Sequence, residues 1–154
     1  MNRRLFIVAA LVTLAVPTWA TVQLLPAFLT DANCTLPKSV SRSKVFVAHV
    51  SFTVKPGFHV YSNVPGDENA IPTTIDLEDG SKYKITAIRW PEAHKDAMGV
   101  MILEGKVNVS VSIMPPALKA NKSVLKLRLR SQGCNASSCL PPATVALLSV
   151  HDIK

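Results

Sequence analysis

The sequence has no apolar run of the length that a membrane-spanning helix needs, which is roughly 20 residues. Its N-terminal apolar stretch, residues 5–16, is too short and follows the basic start MNRR. Small residues at Thr18 and Ala20 resemble a signal-peptide cleavage site. We therefore expect residues 1–20 to be a secretory signal, and the mature chain to be exported without a stable membrane span.

Motifs of several common enzyme classes are also absent. The sequence offers no Ser/His/Asp arrangement, glycine-rich phosphate loop or paired carboxylate site. Its formal net charge is +7, but the basic residues are scattered at strand-like spacing without interleaved aromatic residues. Such scattering is typical of a solvated face. We therefore expect no nucleic-acid partner.

Metal ligands are sparse. Zinc sites need more convergent ligands than the sequence offers. His94, Met98 and Met101 would suit monovalent copper if they shared one helical turn. Pro91 and Gly99 argue against a helix there, and methionines beside an apolar strand more often pack in a core. We predict no metal and no cofactor.

Alternating apolar residues predict β-strands, and no segment shows the apolar periodicity of a helix. In residues 44–54, for example, Phe46, Val50 and Phe52 share one face at period two. Gly, Pro and Asp turns separate these runs, which favours an antiparallel β-sandwich. The strands are predicted at residues 44–54, 58–62, 73–77, 83–90, 100–103, 107–113, 124–130 and 144–150.

The mature chain is predicted to be one domain. Residues 21–43 lack a clear alternating pattern, and we expect an irregular leader arm there. The sandwich domain is predicted to occupy residues 44–154. Within it, Leu125, Leu127 and Leu129 alternate with basic residues, so one face of that strand should be buried and the other wet.

Three cysteines in an exported chain allow one disulfide and leave one thiol over. Cys134 and Cys139 are near neighbours, which makes Cys34 the expected orphan. A ring this small stabilises a fold by only about 2 kcal/mol in the chain-entropy model. Two close thiols can also exchange electrons with another protein. Spacing alone leaves a structural bond and an exchange pair equally open.

Four motifs together resemble the N-terminal periplasmic domain of the thiol:disulfide interchange protein DsbD. They occur in family order over residues 45–150, and the most specific of them joins the two cysteines to a double proline. The motifs are GCNASSCLPPAT at residues 133–144, PGFHVY at 56–61, IPTT at 71–74 and EGKV at 104–107.

This resemblance implies an immunoglobulin-like sandwich in the periplasm whose cysteine pair relays electrons. A thioredoxin-like protein would be the donor, and other periplasmic oxidoreductases would be the acceptors. Cys139 would be the sulfur that the donor attacks, and Cys134 its resolving partner. His59 and Tyr61 stand at the family's supporting positions. A cap over the disulfide would be formed by residues 94–99, with Ala97 and Met98 as its covering side chains.

Two functions follow as hypotheses. The first is a thiol:disulfide oxidoreductase in which Cys134 and Cys139 alternate between dithiol and disulfide. The second is a binding or interaction module on the same sandwich, in which the disulfide is permanent and structural.

Overall fold

A computed structural model describes residues 24–117 and 122–154 of the chain. The expected signal peptide lies outside the described residues. Those residues form strands and turns, and no helix among them is long and apolar enough to cross a membrane. The strands are β1 Leu29–Thr35, β2 Ser39–Val40, β3 Phe46–Val54, β4 His59–Tyr61, β5 Thr74–Leu77, β6 Lys84–Arg89, β7 His94–Lys95, β8 Met101–Leu103, β9 Lys106–Met114, β10 Lys122–Ser131, β11 Gly133–Cys134 and β12 Ala143–Ile153.

The strands form three four-stranded sheets. Sheet A has the order β1-β3-β9-β6, sheet B the order β2-β12-β10-β5, and sheet C the order β11-β4-β8-β7. Only the short β2 pairs in parallel, with β12, among the paired strands of the described residues. Because β11 follows β10 after a single residue, the chain passes from sheet B directly into sheet C.

Sheets A and B bury their facing side chains in one hydrophobic core. Alternation along β3 and β9 turns every second residue inward, and β10 and β12 do the same from the opposite layer. The predicted burial of Leu125, Leu127 and Leu129 is confirmed, since each is at most 1% exposed. The predicted antiparallel, immunoglobulin-like sandwich is thereby confirmed, as are all eight predicted strands with bounds moved by a few residues.

The prediction of an irregular leader arm is wrong for residues 29–35 and 39–40, which form β1 and β2. β1 is an edge strand of sheet A paired with β3, and β2 pairs with the end of β12. Phe28, Leu29 and Val40 are buried in the shared core. An edge strand has a partner on one side only, so it can carry polar residues along most of its length. That polarity conceals the alternation from sequence analysis.

His151 makes the stability of the sandwich dependent on pH. Its ring is buried, lies between those of Phe46 and Tyr83 at 5.8 Å from each, and its Nε2 is 3.0 Å from the Tyr83 hydroxyl. Burial lowers the pKa of His151 from 6.5, and this outweighs the opposing effects of the Ser149 backbone and Asp152. The folded state therefore disfavours the imidazolium form.

Above about pH 6.5 we expect His151 not to lower the free energy of unfolding. Below that pH, the free energy of unfolding should fall as the pH falls. The unfolded state then binds the extra proton, and a single proton limits the slope to about 1.4 kcal/mol per pH unit. Urea unfolding of wild type and His151→Gln at pH 5 to 7.5 measures this effect. The stability difference between the two proteins should shrink as the pH falls, and a constant difference would contradict the assignment.

Candidate functional site

Cys134 is positioned by the short strand β11, which carries the chain from sheet B into sheet C. Gly133 pairs with Val60 and Cys134 pairs with His59, both on β4. Gly133 is itself buried, with the ring of the fully buried Phe28 against its Cα. The first residue of the cysteine motif is therefore held on one side by β4 and on the other by the N-terminal segment.

The two cysteines form a disulfide across a tight loop with a Cα–Cα distance of 4.0 Å. The Asn135 side-chain oxygen accepts hydrogen bonds from the backbone N–H groups of Ser137 and Ser138, each at 2.9 Å. Asparagine forms such local turns readily. Leu140 N–H then donates to the Gly133 carbonyl at 2.8 Å. The loop thus has its own hydrogen bonds in addition to the S–S bond.

The two sulfur-bearing residues differ sharply in exposure. Cys134 is 2% exposed, whereas Cys139 is exposed together with its neighbours Ala136, Ser137 and Ser138. These neighbours are small, so a second protein can approach Cys139 closely. Because thiol–disulfide exchange needs access to the attacked sulfur, the difference in exposure favours Cys139 over Cys134 as the point of attack.

His59 and Tyr61 lie beside the disulfide on the same face of β4. The Tyr61 hydroxyl is 3.8 Å from Cys139 Sγ. The Tyr61 ring meets the His59 ring edge-on, with 5.9 Å between centroids. Thr73 donates a hydrogen bond of 2.5 Å to the Tyr61 carbonyl, which anchors this strand. The structure therefore brings together four of the residues that the sequence analysis selected.

The predicted cap, residues 94–99, is a hairpin at the far edge of sheet C, separated from β11 by β4 and β8. Asp96 accepts hydrogen bonds from Met98 N–H at 2.8 Å and Val100 N–H at 2.9 Å, which closes the turn. Ala97 is exposed and Met98 is 84% exposed. Neither side chain is packed in this state, and their covering role stays a prediction.

Two of the ligands considered for copper lie on different faces of the β7–β8 pair, because His94 stands opposite Ile102 and Met101 opposite Lys95. His94 Nε2 lies 3.1 Å from Glu104 Oε2 at the surface. No group of three or more His, Cys, Asp or Glu side chains is placed to hold a metal ion within residues 24–117 and 122–154.

Cys34 is a free, half-buried thiol on β1 in sheet A, away from the disulfide in sheet C. Burial raises its pKa to about 11. Since the thiolate is the nucleophilic form, Cys34 is almost wholly protonated and unreactive at neutral pH. This agrees with its expected status as the orphan.

Phe28, Gln132 and Asn135 are site residues that sequence analysis missed. Gln132 Nε2 donates to the Leu140 carbonyl at 3.0 Å and so ties the two ends of the disulfide loop. The Asn135-x-Ser137 spacing is a recognisable turn signal that could have identified Asn135. Phe28 has no such signal, because its contact with Gly133 is made by tertiary packing.

Comparisons with known proteins point to one family. The family model "Thiol:disulfide interchange protein DsbD, N-terminal" matches residues 28–150. The DsbD N-terminal domain of Neisseria meningitidis, solved in the reduced form, superposes with a TM-score of 0.52 and 16% identity over 85% of this chain and 96% of that one.

A second solved structure is the N-terminal periplasmic domain of ScsB from Proteus mirabilis. It gives a TM-score of 0.50 and 15% identity over 82% of this chain and 50% of that one. At these identities both structures bear on the fold alone. A search of curated proteins returned no match. The family match covers most of the sandwich and includes the disulfide loop, and the chain therefore belongs to the family of DsbD N-terminal domains.

Proposed function

We propose that this protein is an exported thiol:disulfide oxidoreductase that relays electrons in the periplasm through Cys134 and Cys139. The observation that carries the proposal is the unequal exposure of the two sulfur-bearing residues within a pre-formed loop. One sulfur can be reached by a partner, and the other is held 4.0 Å away, Cα to Cα, to resolve the mixed disulfide. Family membership supports the same chemistry.

The relay has two halves. In the first, a donor thiolate attacks Cys139 Sγ, the Cys134–Cys139 bond breaks, and Cys134 leaves as a thiolate. The donor's second thiol then attacks the donor's own sulfur in the mixed disulfide and releases Cys139. In the second half, the Cys139 thiolate attacks an acceptor's disulfide, and Cys134 attacks Cys139 Sγ to release the reduced acceptor.

The partners in this proposal are a thioredoxin-like donor and periplasmic oxidoreductase acceptors. The exposed stretch from Ala136 to Cys139 would be the contact surface. Tyr61 supports Cys139 through the contact between its hydroxyl and Sγ. For Ala97 and Met98 to cover the disulfide, the hairpin of residues 94–99 would have to move toward it, because both side chains are exposed at the far edge of sheet C. Residues 1–20 direct the export.

An equilibrium redox titration of the mature chain tests the function. In dithiothreitol or glutathione buffers we expect a midpoint potential between roughly −120 and −270 mV, the range of thiol–disulfide carriers. A potential below about −300 mV would describe a structural bond and would support the alternative, a binding module with a permanent cross-link. A Cys34→Ser variant should give the same potential, because Cys34 lies in a different sheet.

A further inference from the structure

Sheet C places a histidine directly opposite the buried cysteine. Cys134 and His59 are register partners in the β11–β4 pair. Directly opposed residues of antiparallel strands project from the same face, with Cβ atoms roughly 4.5–5.5 Å apart. Val60, between His59 and Tyr61, turns to the other face and is 0% exposed. His59 and Cys134 therefore share the face that carries the disulfide.

Cys134 needs a proton partner more than Cys139 does. At 2% exposure, Cys134 has almost no access to water, and an unpaired thiolate there carries a desolvation cost. Cys139 is exposed to solvent and has the Tyr61 hydroxyl 3.8 Å from its sulfur. The half-buried His59 has its ring held edge-on by Tyr61. The imidazole is thus on the same face of sheet C as Cys134, the cysteine that solvent reaches least.

The charged group that the register places beside His59 lies on the side of β8, away from β11. Residues 131–150, which include the disulfide loop, contain no charged side chain. One register step beyond the Val60–Leu103 pair brings Glu104 level with His59. Glu104 contacts His94 of β7 and lines a shallow groove with Lys55. On the side of Cys134, therefore, no side chain of the disulfide loop competes with His59 as a proton donor.

We propose that His59 is the general acid and base for Cys134, an assignment that rests on the proposed exchange function. When a donor thiolate attacks Cys139 Sγ, the S–S bond breaks and its electron pair leaves on Cys134 Sγ. The His59 imidazolium transfers its proton to that sulfur and becomes neutral, and solvent then protonates it again. In the reverse direction neutral His59 takes the Cys134 proton, and the resulting thiolate attacks Cys139 Sγ in the mixed disulfide. The Cys134–Cys139 bond forms, the bond from Cys139 to the partner's sulfur breaks, and the partner's sulfur leaves as a thiolate.

The test is the pH profile of disulfide reduction in wild type and His59→Phe. Phenylalanine keeps an aromatic ring against Tyr61 and removes the proton. Reduction of the mature chain by dithiothreitol is followed by acid quenching and thiol alkylation. Taking the ratio of the two rates at each pH cancels the titration of the reductant.

The wild-type rate should exceed the His59→Phe rate by at least about tenfold at pH 5.5, and the ratio should approach one at pH 8.5. A His59→Gln variant should give the same profile, and it serves if the Phe variant does not fold. His49→Phe on sheet A is the matched control, with a ratio near one throughout. A ratio that does not change with pH would reduce His59 to a packing role and overturn the proposal. If wild type itself resists dithiothreitol at every pH, the exchange function fails instead.

Discussion

A Cys134→Ser variant is expected to accumulate a mixed disulfide at Cys139, whereas a Cys139→Ser variant is expected to accumulate almost none. The remaining cysteine is exposed in the first variant and 2% exposed in the second. Removing Cys134 also removes the thiol that resolves the mixed disulfide, so the adduct at Cys139 persists. The unequal exposure therefore determines which cysteine reacts, and the loss of the second thiol determines how long the adduct lasts.

Oxidised glutathione at neutral pH is a suitable probe, and mass spectrometry under non-reducing conditions measures the adduct. We expect Cys139 to react at least about a hundredfold faster than Cys134, which corresponds to about 2.7 kcal/mol for the local opening that exposes Cys134. Both variants should carry Cys34→Ser, so that the adduct has one origin. In urea the two rates should converge. Equal rates in the folded proteins would contradict the assigned roles. An adduct confined to Cys134 would reverse them.

Local patterning was sufficient to predict most of the sandwich. Strands with one buried face, such as β3 and β10, show their alternation openly because every second residue enters the core. β1 and β2 escaped detection because they are edge strands, one polar and one only two residues long. β7 and β11 are also two residues long and are defined by their partners in sheet C. Such short strands are defined by their pairing with a neighbouring strand, and that pairing cannot be predicted from the local sequence.

The candidate site was likewise predicted in part from local sequence, while the rest depends on tertiary pairing. Spacing identified the cysteine pair, and family resemblance added His59 and Tyr61. The opposite exposures of Cys134 and Cys139 depend on β11 joining β4 while the loop after Asn135 turns back toward solvent. No local pattern within the motif encodes that outcome, because each cysteine follows a small residue, Gly133 or Ser138.

Gly133→Ala is expected to destabilise the protein by about 3 kcal/mol, the largest stability effect that we predict for a single added methyl group. A Cβ at this position would stand 2.5 Å from Phe28 Cβ and Cδ1 and closer still to Cγ. Phe28 is 1% exposed and packs in the core, so its ring can shift only by displacing its neighbours. Overpacking of this kind typically costs about 1–3 kcal/mol, and here the clash is with the Cβ and ring of a fully buried side chain.

A double-mutant cycle with Phe28→Ala identifies the cause. Phe28→Ala alone should cost about 3–5 kcal/mol by opening a cavity. In the double variant the new methyl group enters that cavity, so the combined loss should be at least about 1 kcal/mol smaller than the sum.

Gly66→Ala is the control, because nothing lies within 4 Å of its added Cβ and its effect should add to that of Phe28→Ala. Urea unfolding measures the wild type, the three single variants and the two double variants that contain Phe28→Ala. Additivity of Gly133→Ala and Phe28→Ala would show that Phe28 does not exclude a side chain at the first residue of the cysteine motif. Coupling would support the inference that Phe28 holds β11 against β4. It would also predict faster labelling of Cys134 by oxidised glutathione when Gly133→Ala is added to a protein that carries Cys34→Ser and Cys139→Ser.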